Sequence, residues 1–425
     1  MSFIRFSMFA LLKDFKNNLH YLYSIIILST INLVFSNINY HQNLKVDMEV
    51  NQFGNMIPRY TSFVVFINIA FAIVLAIYAY SYLLNKKNLE IKILKISGGG
   101  LKKVGLFLLI QNFFLIIIGS IIGILIGSLL IPISNKIIFD YLGINDTYFL
   151  YHSSSFIDWI NINLIVMVVT GILGFGYVQK NEIKQTTYDI LKDNRKIKFS
   201  GGFYIFLYLA GIVMFITSKE VTYGGVAFSL IGCCGASGII KTKLCDVIKE
   251  RKERIDYVDK IKNITYSNLI FSLKANRMLI LGMLFVSTVM LSWVIGSLQI
   301  KEDFIIALIS YIFSLILLAL STLFNYMINF NVNNQDYVLL YKNGYTLKLL
   351  KKVVFEQIVQ FYFTIFIFSF IYIILIFIHP IINGSINIVT SIIMIFLYVV
   401  LIISISFLTL CLAKKSMIKK LKENI

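Results

Sequence analysis

Residues 89–133 read LEIKILKISGGGLKKVGLFLLIQNFFLIIIGSIIGILIGSLLIPI, and three signals follow one another in them. The apolar residues Leu89, Ile91, Ile93, Leu94 and Ile96 mark a short amphipathic helix. Gly98, Gly99 and Gly100 break it, with Gly98 placed as a natural C-cap. After Lys102 and Lys103, residues 105–133 contain no charged side chain. Since about 20 apolar residues cross a bilayer, this stretch predicts a long, tilted transmembrane helix.

Nine more hydrophobic segments flank it, at 19–38, 61–84, 157–178, 202–217, 224–240, 278–298, 304–328, 354–378 and 388–412. The pair 202–217 and 224–240 is short and Gly-rich, and could form one re-entrant pair in place of two spans. Of the 425 residues 58% are hydrophobic and 14% charged, and the mean hydropathy is +0.82. These values exclude a soluble globular enzyme and a disordered chain. With 4 cysteines, the chain is not a disulfide-rich module either. The predicted fold class is all-α: a polytopic integral membrane protein of about ten transmembrane helices.

Placing the N-terminus in the cytoplasm puts 34 of the 39 Lys and Arg residues on that side. Only Lys45, Arg59, Lys136, Lys219 and Lys301 fall outside. The positive-inside rule therefore predicts that both termini are cytoplasmic. It also accounts for the net charge of +18 without a nucleic-acid partner, the basic clusters contacting lipid headgroups instead. Segment 19–38 is too long for a signal-peptide core and lacks an A-x-A cleavage site. Before it, Phe3, Phe6, Phe9 and Leu12 line an amphipathic helix suited to the membrane surface.

Two cytoplasmic stretches repeat. In the first, Glu90 stands eight residues before Gly98, and Gln111 thirteen after it. In the second, Asp336, Gly344 and Gln357 keep that spacing, with Leu340 inside the run. The repeat predicts two parallel four-helix units joined by a two-helix linker. The boundaries are 1–180 with cytoplasmic segment 85–103, then 181–254, then 255–425 with cytoplasmic segment 329–352. A short helix between two spans can fit a groove on a soluble partner.

At these residues the chain resembles the FtsX-like (MacB-type) permeases of ABC systems. Glu90–Gly127 follows the family pattern closely and Asp336–Gln357 more loosely. Ten spans in two units are similar to the BceB-type subgroup. That resemblance implies a separate ATPase subunit, itself dimeric, which would bind ATP and Mg; this chain would bind no cofactor directly. It implies ATPase coupling through Glu90, Ile93, Leu94, Gly98, Gly99 and Gly100, and through Asp336, Leu340 and Gly344. It also implies a bacterial cell membrane location. The substrate would be amphipathic, such as an antimicrobial or bacteriocin-like peptide or a lipid-linked molecule. Only 299–303 and 39–60 stand where these relatives carry a large extracytoplasmic domain. The chain itself has no G-x-x-x-x-G-K-[ST] phosphate cradle, so it is not expected to be an enzyme.

Within the spans, Gly119, Gly123 and Gly127 recur every four residues, a spacing that lets two helices approach closely. That contact could lie within the chain or reach a second permease chain. The candidate intramembrane polar residues are Gln111, Glu356 and Gln357; Glu356 can pair with Lys351 or Lys352. His20, His41, His152 and His379 show no metal-ligand spacing, and no catalytic constellation emerges. The rival functions are a mechanotransmission permease regulating a partner such as a histidine kinase, a polytopic membrane enzyme and a secondary transporter.

Overall fold

The computed structural model describes residues 3–41, 60–186, 201–217, 224–254, 260–298, 301–382, 384, 386 and 388–423. Within them every regular element is helical, as the hydrocarbon solvent requires of any open chain that must satisfy its own backbone. In order these are α1 (Phe3–Lys13), α2 (Phe15–Asn39), α3 (Tyr60–Lys86), α4 (Asn88–Ile96), α5 (Leu101–Leu142), α6 (Ser153–Thr186) and α7 (Gly201–Thr217). There follow α8 (Gly224–Ile239), α9 (Cys245–Glu253), α10 (Lys260–Ala275), α11 (Arg277–Phe285) and α12 (Leu291–Gly296). The last three are α13 (Lys301–Lys342), α14 (Leu347–Ile382) and α15 (Ile388–Glu423). Wide π-helical turns at Ile240–Leu244 and Val286–Met290 join α8 to α9 and α11 to α12.

Nine helical stretches among the described residues are long and apolar enough to span a membrane. The tenth predicted segment falls on α7, whose 17 residues are apolar but short. The chain is a multi-pass, all-α membrane protein. Its contacts divide it into two compact units. Unit 1 holds residues 1–196 and 301–313, and unit 2 holds 197–300 and 314–425. The helices α7 and α8, between the two sequence repeats, pack within unit 2.

In unit 1, α2 is the central helix and runs along α5. The glycine ladder makes this possible. A Cβ on Gly119 would stand 2.7 Å from Ile25, one on Gly123 2.5 Å from the Ser29 hydroxyl, and one on Gly127 3.0 Å from Leu33. Residues 25, 29 and 33 repeat with the same period of four, so two matched faces interlock. The Thr30 hydroxyl donates to the Gly123 carbonyl at 3.3 Å, and the Trp159 indole donates to Ser29 at 2.7 Å. The close contact is therefore internal to unit 1. In unit 2, α14 is central. The position equivalent to Gly123 is Ser369, whose buried hydroxyl bonds Tyr398 of α15. Tyr372 of α14 fills a notch formed by Gly211 of α7 and Gly232 of α8, and its hydroxyl donates to the Tyr208 carbonyl at 2.7 Å.

At the end of unit 1 where α2 stops, His41 is buried. Its ring lies 4.7 Å from that of Phe139 and 5.7 Å from that of His152, and its Nε2 is 3.7 Å from Asp146.

Replacing Gly123 by Leu is expected to destabilise the protein by about 1–3 kcal/mol, because the extra side chain must displace Ser29 and the α2 backbone. A Cβ at Gly171 meets nothing within 4 Å, so Gly171→Ala should leave the melting temperature of the detergent-purified protein unchanged or raised. Equal melting of wild type and Gly123→Leu would remove this account of the ladder.

Candidate functional site

The two repeated stretches share more than spacing. At the end of α4 the Gly98 N–H donates to the Lys95 carbonyl at 3.0 Å, and the Gly99 N–H to the Leu94 carbonyl at 2.9 Å. At the end of α13 the Gly344 N–H donates to Tyr341 at 3.0 Å, and the Tyr345 N–H to Leu340 at 3.1 Å. Both are Schellman turns with a left-handed glycine, φ 83° at Gly98 and 90° at Gly344. Any side chain at either glycine would be strained. Gly99 is needed for a different reason: its Cβ would stand 2.6 Å from the Leu94 oxygen. Gly100 is extended and opens α5 as its N-cap; a Cβ there would meet nothing.

Each glutamine then ties three elements together. Gln111 on α5 donates to the Ser7 carbonyl of α1 at 3.2 Å and accepts from the ammonium of Lys87. Gln357 on α14 donates to the Ser272 hydroxyl of α10 at 3.0 Å and accepts from Tyr337 at 3.0 Å. Tyr337 also accepts from Asn268 of α10 at 3.0 Å. So in each unit a glutamine just inside the span fixes a neighbouring helix, α1 or α10, and the segment leading to the Schellman turn.

The two sites differ in how that segment is built. In unit 2 it is the end of the continuous α13. In unit 1 the helix breaks at Lys87, which caps α4. Lys87 is 1% exposed, and its ammonium lies 4.0 Å from the Glu90 carboxylate. Asp14, the residue between α1 and α2, stands beside Glu90 and acts on its ionisation. Burial lowers the Lys87 pKa, while Glu90 and Asp14 oppose that shift. Burial pushes Glu90 up to about 7, the Lys87 charge working against it and Asp14 with it. On the far side of α4, Lys95 donates to the Val178 carbonyl of α6 at 3.1 Å.

With Ile91 buried and these polar ties inward, α4 turns its other face out. Leu89, Ile93 and Ile96 are 70%, 55% and 87% exposed, and their spacing puts them on one face. In unit 2 the counterpart of Ile93 is Leu339, also exposed, while Lys342 stands where Ile96 does. Asp336 is exposed and Leu340 half-buried. Thus Ile93, Leu94 and the glycines gather at one turn, but Glu90 faces inward, toward Lys87 and Asp14. Glu356 pairs with Lys352 at 3.9 Å on α14. The residues that sequence reasoning left out are Lys87, Ser7 and Asp14 in unit 1, and Tyr337 and Ser272 in unit 2. Lys87 is one of six lysines in 85–103, and nothing in the pattern singles it out.

Residues 62–180 match the model of a protein family described as FtsX-like permease C-terminal. The matched stretch takes in α4, its Schellman turn, Gln111 and the glycine ladder, so the resemblance read at Glu90–Gly127 is shown for this region. Asp336–Gln357 lies outside it. No curated protein matches the chain.

The raised Glu90 pKa gives a pH dependence with a definite sign. The docked arrangement favours the protonated acid, so its stability is fullest below the ordinary carboxylate pKa and falls as pH rises toward about 7. Hydrogen-exchange protection of 88–96, corrected for intrinsic rate, should therefore drop between pH 5 and pH 8. Glu90→Gln should flatten that dependence; a profile that Glu90→Gln leaves unchanged would assign it to another group.

Proposed function

We propose that the chain is the permease subunit of an ATP-binding-cassette system, working with an ATPase on a separate chain. The observation that carries this reading is the apolar face Leu89–Ile93–Ile96. It is exposed on a short helix locked to the first turns of a span, within the region similar to FtsX-like permeases. A soluble subunit can cover such a face with a groove. Movement of α4 would pass to α5 through Gln111 and to α6 through Lys95. From α5 it would pass to α2 through the glycine ladder. ATP and Mg would be held by the partner, a dimeric ATPase, on the cytoplasmic side of a bacterial cell membrane.

The finer reading is that ATP hydrolysis drives transport or membrane extraction of an amphipathic molecule. An antimicrobial or bacteriocin-like peptide or a lipid-linked molecule suits a protein whose surface is mostly apolar helix. The support is the likeness of its ten apolar segments in two units to the BceB-type permeases.

The test is co-expression with a candidate ABC ATPase subunit and purification through a tag on the permease. Burying one Ile is worth about 1.5–3 kcal/mol. Ile93→Asp should therefore lower ATPase recovery at least tenfold while membrane insertion stays normal. Leu339→Asp should have a smaller effect, since its apolar patch is smaller. Full ATPase recovery with Ile93→Asp would remove the α4 docking reading.

A further inference from the structure

Between α14 and α15 unit 2 carries a groove of about 520 Å³ that plays no part in the α4 platform. Phe355, Val359 and Phe363 form one wall, and Ile403, Phe407 and Leu410 the other. Its floor is the ring of Tyr362, whose hydroxyl points away into a 2.8 Å bond with Thr409. Ser406 and Lys414 complete its polar lining. Lys414 sits at one rim, its ammonium 5.7 Å from the centre of the Phe355 ring. Lys351 and Lys415 are exposed at the same end, because α14 begins where α15 finishes.

The dimensions and charge identify an occupant. From Phe355 to Phe366 the wall rises about 16 Å, close to half of a ~30 Å hydrocarbon core. The groove is therefore one leaflet deep, apolar along its length and cationic at the headgroup level. We infer that it is a binding site for an anionic phospholipid, one acyl chain lying in the groove and the phosphate pairing with Lys414. A lysine with its stem along a ring and its charge at the interface is suited to that contact, and basic pockets between spans attract anionic headgroups. A second copy of the chain is the poorer occupant. In the same membrane orientation its own Lys414, Lys415 and Lys351 would meet these lysines, like charge against like. A transmembrane partner helix would also run beyond a groove one leaflet deep.

The experiment uses the full chain, reconstituted with phosphatidylglycerol carrying a diazirine on its acyl chain, and in parallel with the matching phosphatidylcholine probe. Photolabelled peptides should map to 355–366 and 399–410. Labelling by the glycerol lipid should exceed that by the choline lipid about fivefold, the weight of one lysine at an anionic surface. Lys414→Gln should erase that preference while Lys136→Gln, which is not part of the groove lining, retains it. Ile403→Trp, which fills the groove, should lower labelling by both probes. Equal labelling by the two lipids, a preference that survives Lys414→Gln, or labels spread over all lipid-facing helices would each overturn the assignment. So would crosslinked dimers through 399–410 in place of lipid adducts. Monodisperse elution of every variant separates these outcomes from misfolding.

Discussion

An ammonium group taken out of water must find partners, and Lys87 finds them in Gln111, Glu90 and Asp14. Leaving a buried charge unpaired would cost several kcal/mol, so three elements are constrained at once. Helix α3 must end at Lys87, α4 must start beside it, and the junction of α1 and α2 must bring Asp14 near. With the inward side of α4 so occupied, its remaining apolar residues face outward. The exposed face of Leu89, Ile93 and Ile96 is thus a consequence of how the helix is anchored.

The two units solve one problem with different chemistry. The Schellman turn, the N-terminal turn after it and the glutamine keep a constant offset of 246 residues from Glu90–Gln111 to Asp336–Gln357. The backbone hydrogen bonds correspond at each of these positions. The ties around them do not. Unit 1 uses an ionic cluster and a broken helix, whereas unit 2 uses the phenol of Tyr337 on an unbroken one. Neutral hydrogen bonds ask less of their surroundings than a buried charge, and the unit 2 segment accordingly needs no break. The difference extends along the spans, where glycines on α5 give way to Ser369 on α14.

Much of the fold was legible because hydropathy and helix length are set by the bilayer itself. Nine of the ten segments are long apolar helices, and the left-handed glycines Gly98 and Gly344 follow from their places at helix ends. The ladder was readable as a tight contact, but its partner was not. Ile25, Ser29 and Leu33 are ordinary span residues until the fold sets them against it. The site was half legible for a similar reason. The periodicity around Ile93 marks an amphipathic helix without saying which side is covered. That depends on one lysine among six and on a carboxylate, Glu90, which the resemblance assigned to ATPase coupling. Segment 202–217 was read from its hydropathy as a short span or one arm of a re-entrant pair. What hydropathy could not show is the notch that Gly211 of α7 and Gly232 of α8 open for Tyr372.

The length of α5 gives the anchored platform a geometric meaning. Its 42 residues measure about 63 Å at 1.5 Å per residue, roughly twice the hydrocarbon thickness. Such a rod behaves as a beam clamped near its foot. A tilt of about 5° at Gln111 would carry the far tip at Leu142 through roughly 4 Å. Because the glycine ladder leaves no slack against α2, the two would swing as a single stiff strut. Motion too small to unseat α4 would then reshape the opposite surface of the same unit.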